Sequence, residues 1–486
     1  MKKNAIILLV FINTIVFGQV QIGSDIIGSN SFKRIGKSVA LSANGEILAI
    51  GAHDFDNQRN GIVRTYQKSG NNWVQIGNDF LGEAQGDNLG CSISLSSDGT
   101  VIAIGAFGGI NNGYVRIYRY SSSTNNWVQI DVDIVGQNNS EYFGNVVSLS
   151  SNGDTVAIGA SHANFNTVFK VGRVCIYKLN NSTWQKVGAD IFGSAAIDYS
   201  GRSVSLSSDG TIVAIGAANN DQNGIDSGQA RIFQYSNNNW NQIGNDIYGQ
   251  SQGDQLGHCV SLSADGSIVA VSAPFDDNEN GLNTGQVRVF KNISNSWTQI
   301  GSDIIGESID DKFGTSISLS ADGTILAIGS PDIGIGGSAT IFKNNANVWM
   351  PIGNSMNADE QGDVFCFDNG MCLSSDGSTL AMGSVISNIY LGEVKVFDLT
   401  NVLSLENLKP KETVVIYPNP TNSILNINSN VTISSIELYD IQGRTLETNF
   451  VNEMTSLIDI SSKPNGIYLL KIITEQGNKV ERIIKI

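Results

Sequence analysis

Seven positions of this 486-residue chain carry side chains suited to holding a ligand, and they share one register of a repeat. They are Lys37, Cys91, Asn145, Arg202, His258, Thr315 and Asn369, following an apolar-Gly element in most copies. Structural positions of a repeat keep their residue type, whereas this one changes from copy to copy. If these residues open a strand that lines a central axis, they ring its entrance, and that ring is the expected ligand site. The plain alternative is solvent-facing variation.

Catalytic patterns are sparse. The three histidines, His53, His162 and His258, sit in no HExxH spacing, and no G-x-S-x-G elbow is present. The carboxylate pairs Asp276-Asp277 and Asp310-Asp311 could serve a glycosidase, although loop acids are more often solvated. In the stretch 276–281, Asp276, Asp277 and Glu279 have the oxygen donors of a calcium loop without its completed pattern. Calcium is therefore the only cofactor the sequence suggests, and no catalytic residue is assigned.

The elements that must position these residues are legible. A motif of the form S-V-S-L-S-x-D-G-x-x-V-A-I-G-A recurs seven times. Its turn centres are Asn44, Asp98, Asn152, Asp209, Asp265, Asp322 and Asp376, each before a glycine, 54 to 57 residues apart. Such a period with strand-like content predicts a ring of sheets. Each repeat resolves into four short strands. The first alternates apolar residues with Ser and is expected at the axis. The Asp-Gly or Asn-Gly turn after it is expected to be a two-residue type I′ hairpin. The second strand is apolar on both parities, as a strand buried on both faces must be. The fourth carries the Trp, and all six tryptophans of the chain recur there as anchors.

The seventh repeat lacks a Trp-bearing fourth strand, while residues 20–26 form an orphan one before the first repeat. Pairing of the two would remove an open sheet edge. The expected fold is all-β: a seven-bladed β-propeller over 19–400, closed by its N-terminal strand, then a linker at 401–412 and a small β-sandwich at 413–486. Strand direction places the 2→3 and 4→1 loops on one face. That face holds most loop acids, including Asp54, Asp56, Asp87, Asp221, Asp226, Asp254 and Asp310, and is expected to be the acidic, functional one. Repeated charges, such as Asp79 with Arg64 and Asp133 with Arg116, are expected to be scaffold.

Residues 1–18 read as a secretory signal: Lys2 and Lys3 precede an apolar stretch too short to span a bilayer comfortably. Cleavage is expected between Gly18 and Gln19, leaving no transmembrane segment in the mature chain. The net charge of −16 repels phosphate backbones and argues against a nucleic-acid partner. Five cysteines make a poor disulfide framework. Free thiols are expected, with Cys366 and Cys372 the one pair near enough to join.

The repeats resemble FG-GAP propellers of the kind found in integrin α-subunits. Phe143-Gly144 and Phe313-Gly314 match the FG element, and Gly51-Ala52, Gly105-Ala106 and Ser272-Ala273-Pro274 match GAP. Leu373 to Ser384 resembles a WD40-type blade equally well. Calcium-binding FG-GAP loops have alternating carboxylates between the first two strands. Here that connection is Ser-x-Asp-Gly, so those sites do not carry over.

The C-terminus resembles the type A sorting domain of the type IX secretion system of Bacteroidota. The matching residues are Tyr417-Pro418-Asn419-Pro420-Thr421, the run Ile436 to Arg444, and the run Pro464 to Ile472. The resemblance implies export, with the secretion machinery as a partner of residues 413–486 and a secreted or outer-membrane-surface destination. The expected function is adhesion or binding of an extracellular glycan or protein. The alternative is an extracellular carbohydrate-active enzyme, a hydrolase or lyase, on the same scaffold.

Overall fold

The computed structural model describes residues 18–29, 34–52, 59–108, 112–331, 336–358, 366, 369–385, 391–404, 414–417, 421–474 and 477–486. Residues 1–17, His53, Asp54, Asp56 and Pro418-Asn419-Pro420, all singled out in the sequence, lie outside them. The chain divides into two compact units, 1–404 and 405–486.

Among the described residues the first unit holds seven antiparallel sheets. Their first strands are Ser38–Leu41, Leu89–Leu95, Phe143–Leu149, Ser203–Leu206, Val260–Leu262, Ser316–Leu319 and Met371–Leu373. Each pairs with a second strand, such as Ile212–Ala217, which pairs with a third, such as Gln229–Ser236. The second strands are buried on both faces: Val213, Ala214, Ile215 and their counterparts have essentially no exposed surface. That explains why their central positions are apolar on both parities.

Serine in the first strands has a specific cause. Ser94, Ser148, Ser205, Ser261 and Ser318 each accept, through Oγ, the backbone N–H of Leu149, Leu206, Leu262, Leu319 and Leu373 in the following sheet, all at 3.0 Å. A larger side chain would hold these strands apart. At their far ends the sheets join directly. Ala43 donates its N–H to Ser97, Ser97 to Ser151, Ser151 to Ser208, Ser208 to Ala264, Ala264 to Ala321, Ala321 to Ser375, and Ser375 back to Ala43, at 2.7–3.0 Å. The seven backbone bonds return to their starting residue.

The turns differ from the expected type I′ form. Only the glycine is left-handed, as at Gly99 with φ 69°. Gly99 N–H donates to the Ser96 carbonyl at 2.9 Å. Asp98 Oδ1 accepts from Ser96 Oγ at 2.6 Å and from Thr100 N–H at 2.9 Å. The side chain thus organises a longer loop in which the aspartate keeps an ordinary conformation.

Fourth strands carry the tryptophans against the preceding sheet. Trp240 Nε1 donates to the Val187 carbonyl and Trp297 Nε1 to the Ile243 carbonyl, both at 2.9 Å. The repeated acids are held locally: Arg64 grips Asp79 at 2.7 and 2.8 Å, and Arg116 grips Asp133 at 3.0 Å. In the seventh sheet no strand follows Glu393–Asp398 within the repeat. Val20–Gln21 and Ile26–Ile27 pair with it instead, in the registers Val20↔Asp398 and Ile26↔Val394. The unit ends in a helical turn, Thr400–Leu403, with Val402 buried. All five cysteines are free thiols.

The second unit is one hydrogen-bonded set of five strands. The long strand Ile424–Asp440 pairs along one side with Thr445–Asp459. Its other side pairs first with Val414–Tyr417, then with Gly466–Thr474 after register shifts near Ile433. Leu425, Ile427, Ile436, Leu438, Ile458, Leu470, Ile472 and Ile483 form its core.

Candidate functional site

Lys37, Cys91, Asn145, Arg202, His258 and Asn369 line one cavity of about 220 Å³ at the heads of the first strands. Thr315 does not line it. It is buried, and its Oγ1 donates to the Lys312 carbonyl at 2.8 Å, so a local turn claims the side chain expected in the ring.

The six divide into two groups. Cys91 Sγ donates to the Gly144 carbonyl at 3.3 Å and Asn145 Nδ2 to the Gly201 carbonyl at 3.3 Å. Asn369 Nδ2 reaches the Cys91 carbonyl at 3.3 Å. The first two join neighbouring sheets, while Asn369 reaches past the first sheet to the second. In the repeats with Lys37, Arg202 and His258, the next residue does that work. Ser38 Oγ donates to Gly90 at 2.6 Å, Ser203 Oγ to Gly257 at 2.9 Å, and Cys259 Sγ to Thr315 at 3.2 Å. In these three repeats the joining donor sits one residue later, and Lys37, Arg202 and His258 line the cavity wall.

An aromatic side to the cavity went unread in the sequence. Phe107 lies 5.2 Å from Tyr142, Tyr142 4.0 Å from His162, and His162 4.7 Å from Tyr199, between ring centroids. Tyr142 and Tyr199 share a repeat position, two residues before Gly144 and Gly201. Both adopt left-handed backbone, at φ 57° and 51°, a conformation that disfavours bulky residues. Arg34, Asn88, Gln255 and Lys312 occupy the same position with the same φ sign. Two tyrosines at a register elsewhere polar were the available signal.

Burial pushes the His162 imidazole down to about 4, with Lys170 and Arg202 adding to the effect. It is neutral at physiological pH, its Nδ1 3.1 Å from Ser161 Oγ. Burial pushes the Cys91 thiol up to about 12, so it is protonated and a poor nucleophile. No carboxylate lines the cavity among the described residues.

The acids expected on one loop face divide: some are tied into their own loops, while Asp221, Asp277, Glu279 and Asp310 stay exposed. Asp87, Asp254 and Asp311 each turn Oδ2 onto two loop N–H groups at 2.6–3.0 Å. Asp221 accepts from Asp226 N–H at 2.8 Å, and Asn283 Nδ2 donates to Asp310 Oδ1 at 2.8 Å. Tight loops need acceptors for their N–H groups, and the acids supply them. Exposed apolar residues stand among them at the loop tips: Phe165, Phe169, Ile197, Ile225, Leu282 and Ile309, at 44–62%.

The calcium candidates do not converge. Asp276 is buried near Asp254, and that burial, then the neighbouring charge, pushes its carboxyl up to about 6. Asp277 Oδ1 accepts from Asn283 N–H at 2.8 Å, and Glu279 is exposed. Among the described residues, no three His, Cys, Asp or Glu are grouped to hold a metal ion, and no helix is long and apolar enough to cross a membrane.

No curated protein matches this chain in sequence. Among solved structures, a protein provisionally described as a 6-phosphogluconolactonase from Bacteroides uniformis is 11% identical. It covers 85% of this chain and 99% of its own length, with a TM-score of 0.50. One with the same provisional description from Bacteroides fragilis is 10% identical over 85% and 98%, at 0.46. A periplasmic gluconolactonase from Pseudomonas aeruginosa is 13% identical over 67% and 85%, at 0.46. At such identities the likeness is one of fold, an all-β propeller-like architecture. Residues 415–486 match the secretion system C-terminal sorting domain family, which supports export by the type IX system to the exterior or the cell surface. The chain therefore ends in a sorting domain, and what precedes it is a propeller-like body of antiparallel sheets.

Proposed function

We propose that this is an exported binding protein. Its body is a seven-bladed propeller closed by residues 20–27, and it takes an extracellular glycan or protein ligand at the mouth of its axis. Support for the closure comes from the returning ring of seven backbone bonds and the pairing of Val20 and Ile26 with the third strand of the last sheet. One observation carries the binding reading. Six of the seven variable residues converge on a single cavity, and beside Lys37, Arg202 and His258 the residue after each supplies the joining bond. The carboxylate pairs that an enzyme reading needs do not line that cavity. Among the described residues, no carboxylate lines the cavity to orient the buried thiol or the neutral imidazole beside Ser161.

A glycan and protein array probed with the full chain from residue 19 tests this. The triple variant K37A/R202A/H258A should lose binding to whatever the parent retains while keeping its melting temperature. Unchanged binding by a folded triple variant would place the site elsewhere.

A further inference from the structure

We propose that the mouth cavity accepts a carboxylated sugar, with the carboxylate held by Arg202 and Lys37 and the sugar ring laid on the Tyr142 side of the wall. This rests on the mouth being a ligand site and goes further by naming the ligand's chemistry.

Three observations lead there. The first is charge. The chain carries −16 overall, yet its cavity lining holds two cations and, among the described residues, no carboxylate. Elsewhere Arg64, Arg116 and Arg173 are each paired with an acid within 3.0 Å, whereas Arg202 has no acidic partner among the described residues. A guanidinium matches a carboxylate through two parallel N–H donors.

The second is the aromatic wall. Phe107, Tyr142 and His162 line the cavity and follow one another within 5.2 Å, with Tyr199 packed on His162 outside the lining, and Tyr142 remains 37% exposed. An aromatic face covers the apolar C–H face of a sugar ring and leaves its hydroxyls for polar neighbours. Ser161 and the neutral His162 stand beside it as such neighbours.

The third is size. At about 220 Å³ the cavity lies below the roughly 300–1,000 Å³ typical of sites for drug-sized ligands. It suits one ring and its substituents. A bare phosphate or sulfate would satisfy Arg202 and Lys37 but leave the aromatic wall unused.

The test titrates the full chain from residue 19 with a glucuronate-terminated disaccharide, its glucose-terminated counterpart and inorganic sulfate. It uses calorimetry and the histidine ring resonances. The uronate should bind at least tenfold tighter than either control and shift the His162 titration upward. Arg202→Gln should cost at least tenfold, Arg202→Lys less, and Tyr142→Ala should weaken the uronate without affecting sulfate. Thermal melts confirm folding, and the exposed Arg202 gives a variant that keeps the fold if Tyr142→Ala does not. Equal binding of the glucose disaccharide, sulfate binding as tight as the uronate, or failure of the uronate to bind each overturns the carboxylated-sugar inference. If a neutral glycan or a protein then binds in a manner lost in the triple variant, the mouth remains a ligand site. If no ligand responds to the triple variant, that broader reading falls too.

Discussion

The Gln19 side chain lies on Gly353 and bonds Asn354 twice. Its Nε2 donates to the Asn354 carbonyl at 2.5 Å, and its Oε1 accepts the Asn354 N–H at 3.3 Å. Elsewhere the equivalent glycine meets a tryptophan: Gly188 meets Trp240, Gly244 meets Trp297, and Gly301 meets Trp349. Gln19 thus fills the tryptophan slot of the seventh sheet, and it is also the expected first residue after signal cleavage. Gln19→Ala should cost about 1 kcal/mol through the lost hydrogen bonds. Removing residues 19–27 should cost much more and promote aggregation through the uncovered edge of Glu393–Asp398. Thermal melts and light scattering would show both. Equal stability of the deletion would mean that the pairing contributes nothing.

The first-strand serines should matter individually. Ser205→Ala removes the acceptor for Leu262 N–H, which is bonded at 3.0 Å. A buried N–H left without its partner costs about 1–3 kcal/mol. Chemical denaturation should register this as a lower midpoint with an unchanged slope. Ser208→Ala is the control, because Ser208 joins the ring only through its backbone.

His162 should make the protein sensitive to mild acid. Its ordinary value of 6.5 in the unfolded chain exceeds its folded value of about 4. Between those values the unfolded chain binds the extra proton. The contribution is complete above pH 6.5 and declines as the pH falls towards 4. His162→Gln should flatten this part of the stability profile, as denaturation midpoints at pH 4, 5.5 and 7 would reveal.

Asp276 acts in the opposite direction. Its folded value of about 6 lies above its ordinary 3.8, so the folded chain holds the proton more tightly. Its contribution is greatest below pH 3.8 and is lost as the pH rises through 6. Asp276→Asn should stabilise the protein at pH 7 by about 1 kcal/mol and leave it unchanged near pH 3.5. A destabilised variant at pH 7 would show that the ionised carboxylate has a structural role there.

Much of the fold could be read in the residues because each repeat restates the same local rules. The apolar second strands, the Ser-alternating first strands and the missing seventh tryptophan all follow from burial and strand period, which one sequence displays seven times. The turn type was misread because Asp98 uses its carboxylate to build a longer loop, a choice that Asp-Gly alone does not reveal. The local role of three loop acids was hidden for a related reason. Asp87, Asp254 and Asp311 look like surface charge in a row of letters, but their oxygens are taken by N–H groups three and four residues earlier.

The sequence by itself determined the repeat, its strand pattern, the sorting segment at the C-terminus and the one register whose residues vary. Only the tertiary structure decided what that register does. Cys91 and Asn145 join neighbouring sheets while Lys37, Arg202 and His258 line one cavity, because residues far apart in the chain are brought together only when the sheets pack. The same packing sets Tyr142 and Tyr199 against His162. Side-chain composition is local and repeats along the chain, whereas a cavity is formed by several repeats at once.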